Sequence, residues 1–227
     1  HHLLALPIVD RDGHFLGVVD VSLYLEESLD IAHSKRRKDI FQIIGVTIEE
    51  ERRPPPFRAY LGRMPWLFCN LFGGFLCAII SHHYELVLSE FIMLAMFIPL
   101  TLTLSESISM QSMTHSMHIV NRSTHTVRHT MRQLSVEWRV TLLLALSCGG
   151  IVGAISTFWG DGPRAGAAIG MGILFSAISS GFIGSVVPIV LKIRRWDPKV
   201  AGGPIVLTCA DVFTTAIYLS LATWWLL

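Results

Sequence analysis

The chain has 227 residues, of which 52% are hydrophobic and only 15% are charged, and its formal net charge at pH 7 is +1. Charged residues make up about 25% of a typical soluble domain, so the composition excludes an ordinary soluble globular protein. The small net charge also gives no support to nucleic-acid binding. Because the charges concentrate in the first 63 residues and in a few loops, we expect a polar N-terminal part joined to a membrane part.

The first predicted element is a β-hairpin. Residues 3–22 read LLALPIVDRDGHFLGVVDVS, with an Asp-Gly turn between two apolar runs. This pattern is typical of a two-residue hairpin turn. Because a single hairpin is only marginally stable in water, we expect it to belong to a larger cytoplasmic domain, and we assign residues 1–30 to that part.

A helix and a linker are predicted next. Residues 22–46 have isoleucines at helical spacing and contain four consecutive basic residues, Lys35, Arg36, Arg37 and Lys38, followed by Asp39. Three prolines at 54–56 predict an irregular linker. We assign residues 31–63 to this amphipathic helix and linker.

Five apolar segments follow, at approximately residues 65–82, 86–108, 138–159, 165–191 and 204–227. A spanning helix needs about 20 residues, so we predict an all-α membrane domain with five transmembrane helices over residues 64–227. Pro99 and Pro188 predict kinks in the second and fourth segments. Small residues in the fourth segment, GAAIGMG, predict close helix packing.

The loop charges predict the orientation of these segments. Lysine and arginine residues precede the first segment and recur between the second and third and between the fourth and fifth. The two other connections carry Arg164 alone. By the positive-inside rule, the N-terminus is cytoplasmic and the C-terminus extracytoplasmic in a plasma or inner membrane, where lipids surround the helices.

Asp211 is the acid of the fifth segment, and Thr208, Thr214 and Thr215 flank it. Acidic residues inside spans are costly and usually belong to an ion pathway or to a protonated, hydrogen-bonded pair. No lysine or arginine occurs at similar depth in any segment, which makes a cation the natural partner. A carboxylate with nearby hydroxyls suits a hydrated magnesium ion, and two copies in a homodimer would double the charge.

The second segment is the other candidate site. After Pro99 it becomes rich in hydroxyls, with Ser105, Ser107 and Gln111 around Glu106. We expect Glu106 near the cytoplasmic boundary, either as an ordinary interfacial acid or as an acid at the inner mouth of a pore. Histidines follow at spacings that could bind zinc, or could simply be solvated: His115, His118, His125 and His129.

Several stretches resemble the MgtE-type magnesium channels and transporters. LPIVDRDGHFLGVVDV is similar to the end of a CBS domain, DIFQIIGV to the end of the family's plug helix, and RMPWLFCNL to the start of its first membrane helix. WDPKVAGGPIVLTCADVF resembles the loop and fifth helix most specifically. The resemblance implies a homodimer that follows CBS domains and carries Mg²⁺.

The resemblance also implies roles for residues. It implies that Asp211 binds Mg²⁺ in the pore, with the Leu207 backbone carbonyl as a neighbour, and that Asp197 joins regulatory magnesium sites at the cytoplasmic face. Glu106 stands where the family signature has a glycine, and the acidic plug helix is here the basic run 35–38. Because four positive charges repel a dication, we expect closure by magnesium through this helix to be weak.

The resulting hypothesis is a dimeric channel for divalent cations, most directly Mg²⁺, and not an enzyme. The second and fifth helices line its path, with Asp211, Glu106, Ser105, Ser107, Gln111, Thr208 and Thr215 as candidate lining residues. Two alternatives stay open: a secondary transporter coupled to protons or sodium, and a non-conducting membrane sensor or anchor for a cytoplasmic domain.

Overall fold

The described residues form a short hairpin and a set of mostly long helices. The computed structural model describes residues 5–10, 12, 14–20, 55–121, 127–159, 162–196 and 198–227. The chain divides into two units, residues 1–52 and 53–227. The predicted amphipathic helix with its basic run 35–38 and Asp39 lies outside the described residues, as does Asp197.

The N-terminal unit contains the predicted hairpin. Strand β1 (Ala5–Val9) pairs antiparallel with β2 (Phe15–Asp20), and Ala5 stands opposite Asp20. The register shifts between Ile8 and Val9. The hairpin prediction is therefore confirmed, and its place in a larger domain stays a prediction.

The second unit consists of helices. They are α1 (Pro56–His83), α2 (Glu85–Glu90), α3 (Ile92–Asn121), α4 (Val127–Trp159), α5 (Gly162–Ile193) and α6 (Pro198–Leu226). All except the short α2 are long and apolar enough to cross a membrane. The five predicted spans are confirmed, although several helices extend beyond the predicted ends.

Two boundaries differ from the predictions. Helix α1 begins at Pro56, inside the predicted linker, because proline is well accommodated in the first helical turn, where amides lack partners. The second segment is divided at Phe91 into α2 and α3, and α3 continues to Asn121 instead of ending near 108. Several of its hydroxyls bond to carbonyls of the same helix: the Ser109 hydroxyl, for example, donates to the Glu106 carbonyl at 2.8 Å.

Helix α5 occupies the centre of the unit and packs against α3, α4 and α6. Its glycines allow this close approach. A Cβ on Gly170 would lie 2.8 Å from the Gly149 carbonyl oxygen of α4, and one on Gly172 would lie 2.6 Å from the Tyr218 ring of α6. The prediction of close packing through small residues is thus confirmed. Both α3 and α5 continue as helices through Pro99 and Pro188.

Helix α6 is held on two sides. On the inner side, the Ser180 and Thr214 hydroxyls lie 3.0 Å apart, and the buried Tyr218 hydroxyl donates to the Leu94 carbonyl at 3.1 Å. On the other side, α1 packs mainly against α6, where the Thr208 hydroxyl donates to the Cys69 carbonyl at 3.1 Å. These contacts fix the rotation of α6 and therefore the direction in which Asp211 points.

Candidate functional site

Asp211 lies near the middle of α6, thirteen residues after Pro198. At 1.5 Å per residue it is about 20 Å from the start of the helix. Its carboxyl interacts with the Glu106 carboxyl of α3. The Cys77 thiol of α1 is also close enough to interact electrostatically with the Asp211 carboxyl. Asp211 therefore stands where three helices meet.

Glu106 occupies the middle of α3, fourteen residues after Ile92 and fifteen before Asn121. The expectation that it lies near the end of the span is not met, because α3 is longer than the apolar segment that the sequence indicates. Since α3 and α6 pack together and Tyr218 near the end of α6 contacts Leu94 near the start of α3, the helices run antiparallel. Glu106 lies twelve residues after Leu94 and Asp211 lies seven residues before Tyr218, so both carboxylates fall in the central part of this helix pair, where they interact.

The two segments that carry this pair contain no permanently positive side chain that could compensate its charge. No lysine or arginine occurs between residues 64 and 121 or between 200 and 227. The Oδ1 atom of Asp211 is buried and has no hydrogen-bond partner in the part of the chain that the structure describes. Two facing carboxylates repel each other when both are ionised, so the pair favours uptake of a positive charge.

The arrangement limits how a metal ion could bind. Within the described residues, no group of three or more His, Cys, Asp or Glu side chains is placed to hold a metal ion. Two carboxylates are nevertheless sufficient for a hard cation such as Mg²⁺, which usually keeps several water ligands. The chemistry available to one chain is therefore attraction and partial ligation of a hydrated dication.

The predicted neighbours of Asp211 mainly stabilise the helix contacts. The Thr215 hydroxyl donates to the Asp211 carbonyl at 2.8 Å, and the Thr208 hydroxyl is engaged with α1, as described above. In a continuous α-helix the Leu207 carbonyl faces the Asp211 amide. Ion ligation by Leu207, Thr208 or Thr215 stays a prediction.

The predicted lining residues of α3 lie on different faces. Ser105 is buried, and its hydroxyl has no hydrogen-bond partner among the described residues. Ser107 and Gln111 lie on an exposed face, where the Gln111 amide donates to the Ser107 hydroxyl at 3.4 Å. Thr103 and Thr114 extend this exposed polar face along a helix that is otherwise apolar enough to span a membrane.

A third carboxylate, Glu137 of α4, is absent from the sequence-based candidates. It accepts a hydrogen bond from the Ser112 hydroxyl at 2.9 Å, and its other oxygen lies 3.9 Å from Nε2 of His115. The sequence feature that could have identified Glu137 is its position one residue before the predicted third span. Among the predicted zinc-binding histidines, His115 thus contacts Glu137, His118 is exposed, and the side chains of His125 and His129 lie outside the described part.

Comparison with known proteins adds the family context. Residues 98–221, more than half of the chain, match the MgtE family, described as divalent cation transporters. The chain is 27% identical to the "magnesium transporter MgtE" of Enterococcus faecalis over 223 residues, which cover 98% of this chain and 48% of that protein. It is 26% identical to the Thermus thermophilus protein of the same name over 220 residues, covering 96% and 48%.

A third relative has the same name and shows the same coverage. The Bacillus subtilis protein is 22% identical over 223 residues, which cover 98% of this chain and 49% of that protein. The chain therefore spans about half the length of the curated relatives it matches.

Proposed function

This chain belongs to the MgtE family of divalent cation transporters, and we propose that it carries a divalent cation, in the first place Mg²⁺, across the membrane along a path lined by Asp211. The observation that carries this proposal is an Asp211 oxygen that is buried inside the span Gly202–Leu226 and has no hydrogen-bond partner among the described residues. It lies beside a second acid, and neither α3 nor residues 200–227 contain a lysine or an arginine. The relatives' names support Mg²⁺ as the ion.

Asp211 attracts the ion because an ionised, unpaired acid inside a membrane has a high free energy, which a nearby cation lowers. On insertion scales, an ionised aspartate at the centre of a span costs about 2.5–3.5 kcal/mol. A dication that approaches with its water shell offsets this cost without having to lose all of its ligands. The Asp211 site therefore concentrates divalent cations in a region that otherwise excludes them.

A second copy of the chain completes the proposed path. The exposed polar face of α3, with Ser107 and Gln111, is poorly suited to lipid and is better suited to water or to a protein partner. We place this face towards the path in a homodimer, with helices α3 and α6 of both copies around it. In this arrangement the N-terminus is cytoplasmic, as the loop charges indicate.

The test is flux of Mg²⁺ into liposomes that contain the purified protein. Asp211→Asn and Asp211→Ala should lower the initial rate at least about tenfold, which corresponds to 1.4 kcal/mol of lost ion stabilisation. The matched control is Glu90→Gln, since Glu90 is an exposed acid at the end of α2. This variant should keep the wild-type rate.

Two results would contradict the proposal, and a third, dependence on an ion gradient, would change the mode of transport. Wild-type protein without metal-dependent flux would favour the sensor or anchor. Flux that requires a proton or sodium gradient would favour a coupled carrier. Full activity of both Asp211 variants would remove Asp211 from the path.

A further inference from the structure

The two acids that meet between α3 and α6 bear on which dication the site prefers. Resting on the proposed function, we propose that Glu106 acts with Asp211 as a second ligating carboxylate within one chain, and that it favours dications that release water readily, such as Mn²⁺, relative to Mg²⁺. Glu106 is then a selectivity-determining residue of the transport path.

The fold brings together one carboxylate from each of two antiparallel helices. Glu106 and Asp211 both lie at helix midpoints, and their carboxyl groups interact. The positions of both helices are set by independent contacts, including the Tyr218–Leu94 hydrogen bond and the fit of Gly184 against the Ser109 backbone. The approach of the two acids is therefore set by the packing of the helices that carry them.

The unpartnered Asp211 oxygen indicates that the pair lacks a ligand. Asp211 Oδ1 is buried and has no hydrogen-bond partner within the described ranges, and the nearby Thr215 hydroxyl donates to the Asp211 backbone carbonyl. A buried anionic oxygen left without a donor is costly, and a cation between the two carboxylates would satisfy it.

The number of ligating carboxylates decides which dications bind more tightly. One carboxylate attracts a fully hydrated ion, whereas two facing carboxylates can replace water ligands directly. Oxygen donors suit Mg²⁺, Ca²⁺ and Mn²⁺ alike, but Mg²⁺ is small and dehydrates reluctantly. Direct ligation by Glu106 therefore stabilises bound Mn²⁺ more than bound Mg²⁺.

The experiment compares Mn²⁺ and Mg²⁺ in wild-type protein and in Glu106→Gln. The half-saturating concentration is measured for each ion by liposome flux, and Mn²⁺ binding to the detergent-solubilised protein is measured by electron paramagnetic resonance. Glu106→Gln should raise the value for Mn²⁺ about tenfold and that for Mg²⁺ no more than about threefold. The control is Glu137→Gln, another carboxyl within a span, which should leave the ratio of the two ions unchanged.

Each outcome distinguishes this inference from the proposed function. Unchanged values for both ions in Glu106→Gln would overturn it, because Glu106 would then contribute no ligand to either ion. An equal loss for both ions would overturn the selectivity assignment. If wild-type protein carries no flux but binds Mn²⁺ in a Glu106-dependent manner, the ligating role of Glu106 holds, whereas the transport proposal and the role of Glu106 in transport selectivity both fail.

Discussion

The contact between α3 and α5 allows a quantitative test of the packing that places Glu106. A Cβ added to Gly184 of α5 would collide with the Ser109 carbonyl oxygen of α3 and lie 2.9 Å from its carbonyl carbon. These are backbone atoms and cannot rotate away. Gly184→Ala must therefore separate the two helices or shift α3 along its axis.

The expected magnitude follows from two opposing effects. Overpacking of a filled contact costs about 1–3 kcal/mol. Alanine is also a better helix former than glycine, by about 0.5–1 kcal/mol. Gly150→Ala in α4 is the matched control, since a Cβ there meets no atom within 4 Å. The propensity gain cancels in the comparison, so Gly184→Ala should be about 1–3 kcal/mol less stable than Gly150→Ala.

The assay is equilibrium unfolding of both variants in mixed micelles with increasing sodium dodecyl sulfate, followed by tryptophan fluorescence. Liposome flux is measured in parallel, because displacement of α3 would also move Glu106. Equal free energies of unfolding for the two variants would show that α3 and α5 do not approach at Gly184, and the placement of Glu106 beside Asp211 would lose its support.

Two further predictions use the same unfolding measurement. Tyr218→Phe keeps the ring against Gly172 but removes the hydrogen bond to the Leu94 carbonyl. The variant should therefore be about 0.5–1.5 kcal/mol less stable than the wild-type protein. Tyr60→Phe is the control and should have no effect, because the Tyr60 side chain of α1 is exposed. No loss in Tyr218→Phe would argue against this contact. Arg195 follows α5 with a left-handed φ of 61°, which glycine adopts without strain. Arg195→Gly should therefore stabilise the protein by about 0.5–1 kcal/mol, whereas Arg194→Gly should not. Equal effects of the two variants would argue against a left-handed backbone at Arg195.

The candidate site was predictable in part. Asp211 stands out in the sequence because an acid in a long apolar run is rare, and this needs no knowledge of neighbours. The sequence also identifies Glu106 but predicts it near a membrane boundary, because the hydroxyl-rich residues after it lower the local hydropathy. Glu137 was missed, since its partner Ser112 belongs to another helix and no local pattern links the two.

Span number and the asymmetry of basic loops could be read from the chain alone, because apolar length and charge counts are properties of contiguous residues. The five apolar segments, the hairpin and the exceptional aspartate all belong to this class. The rotation and axial position of each helix decide which serines of α3 are buried and which acid contacts Asp211. Those are set by close contacts at glycines such as Gly172 and Gly184 between distant parts of the chain, and they emerge only when the helices pack.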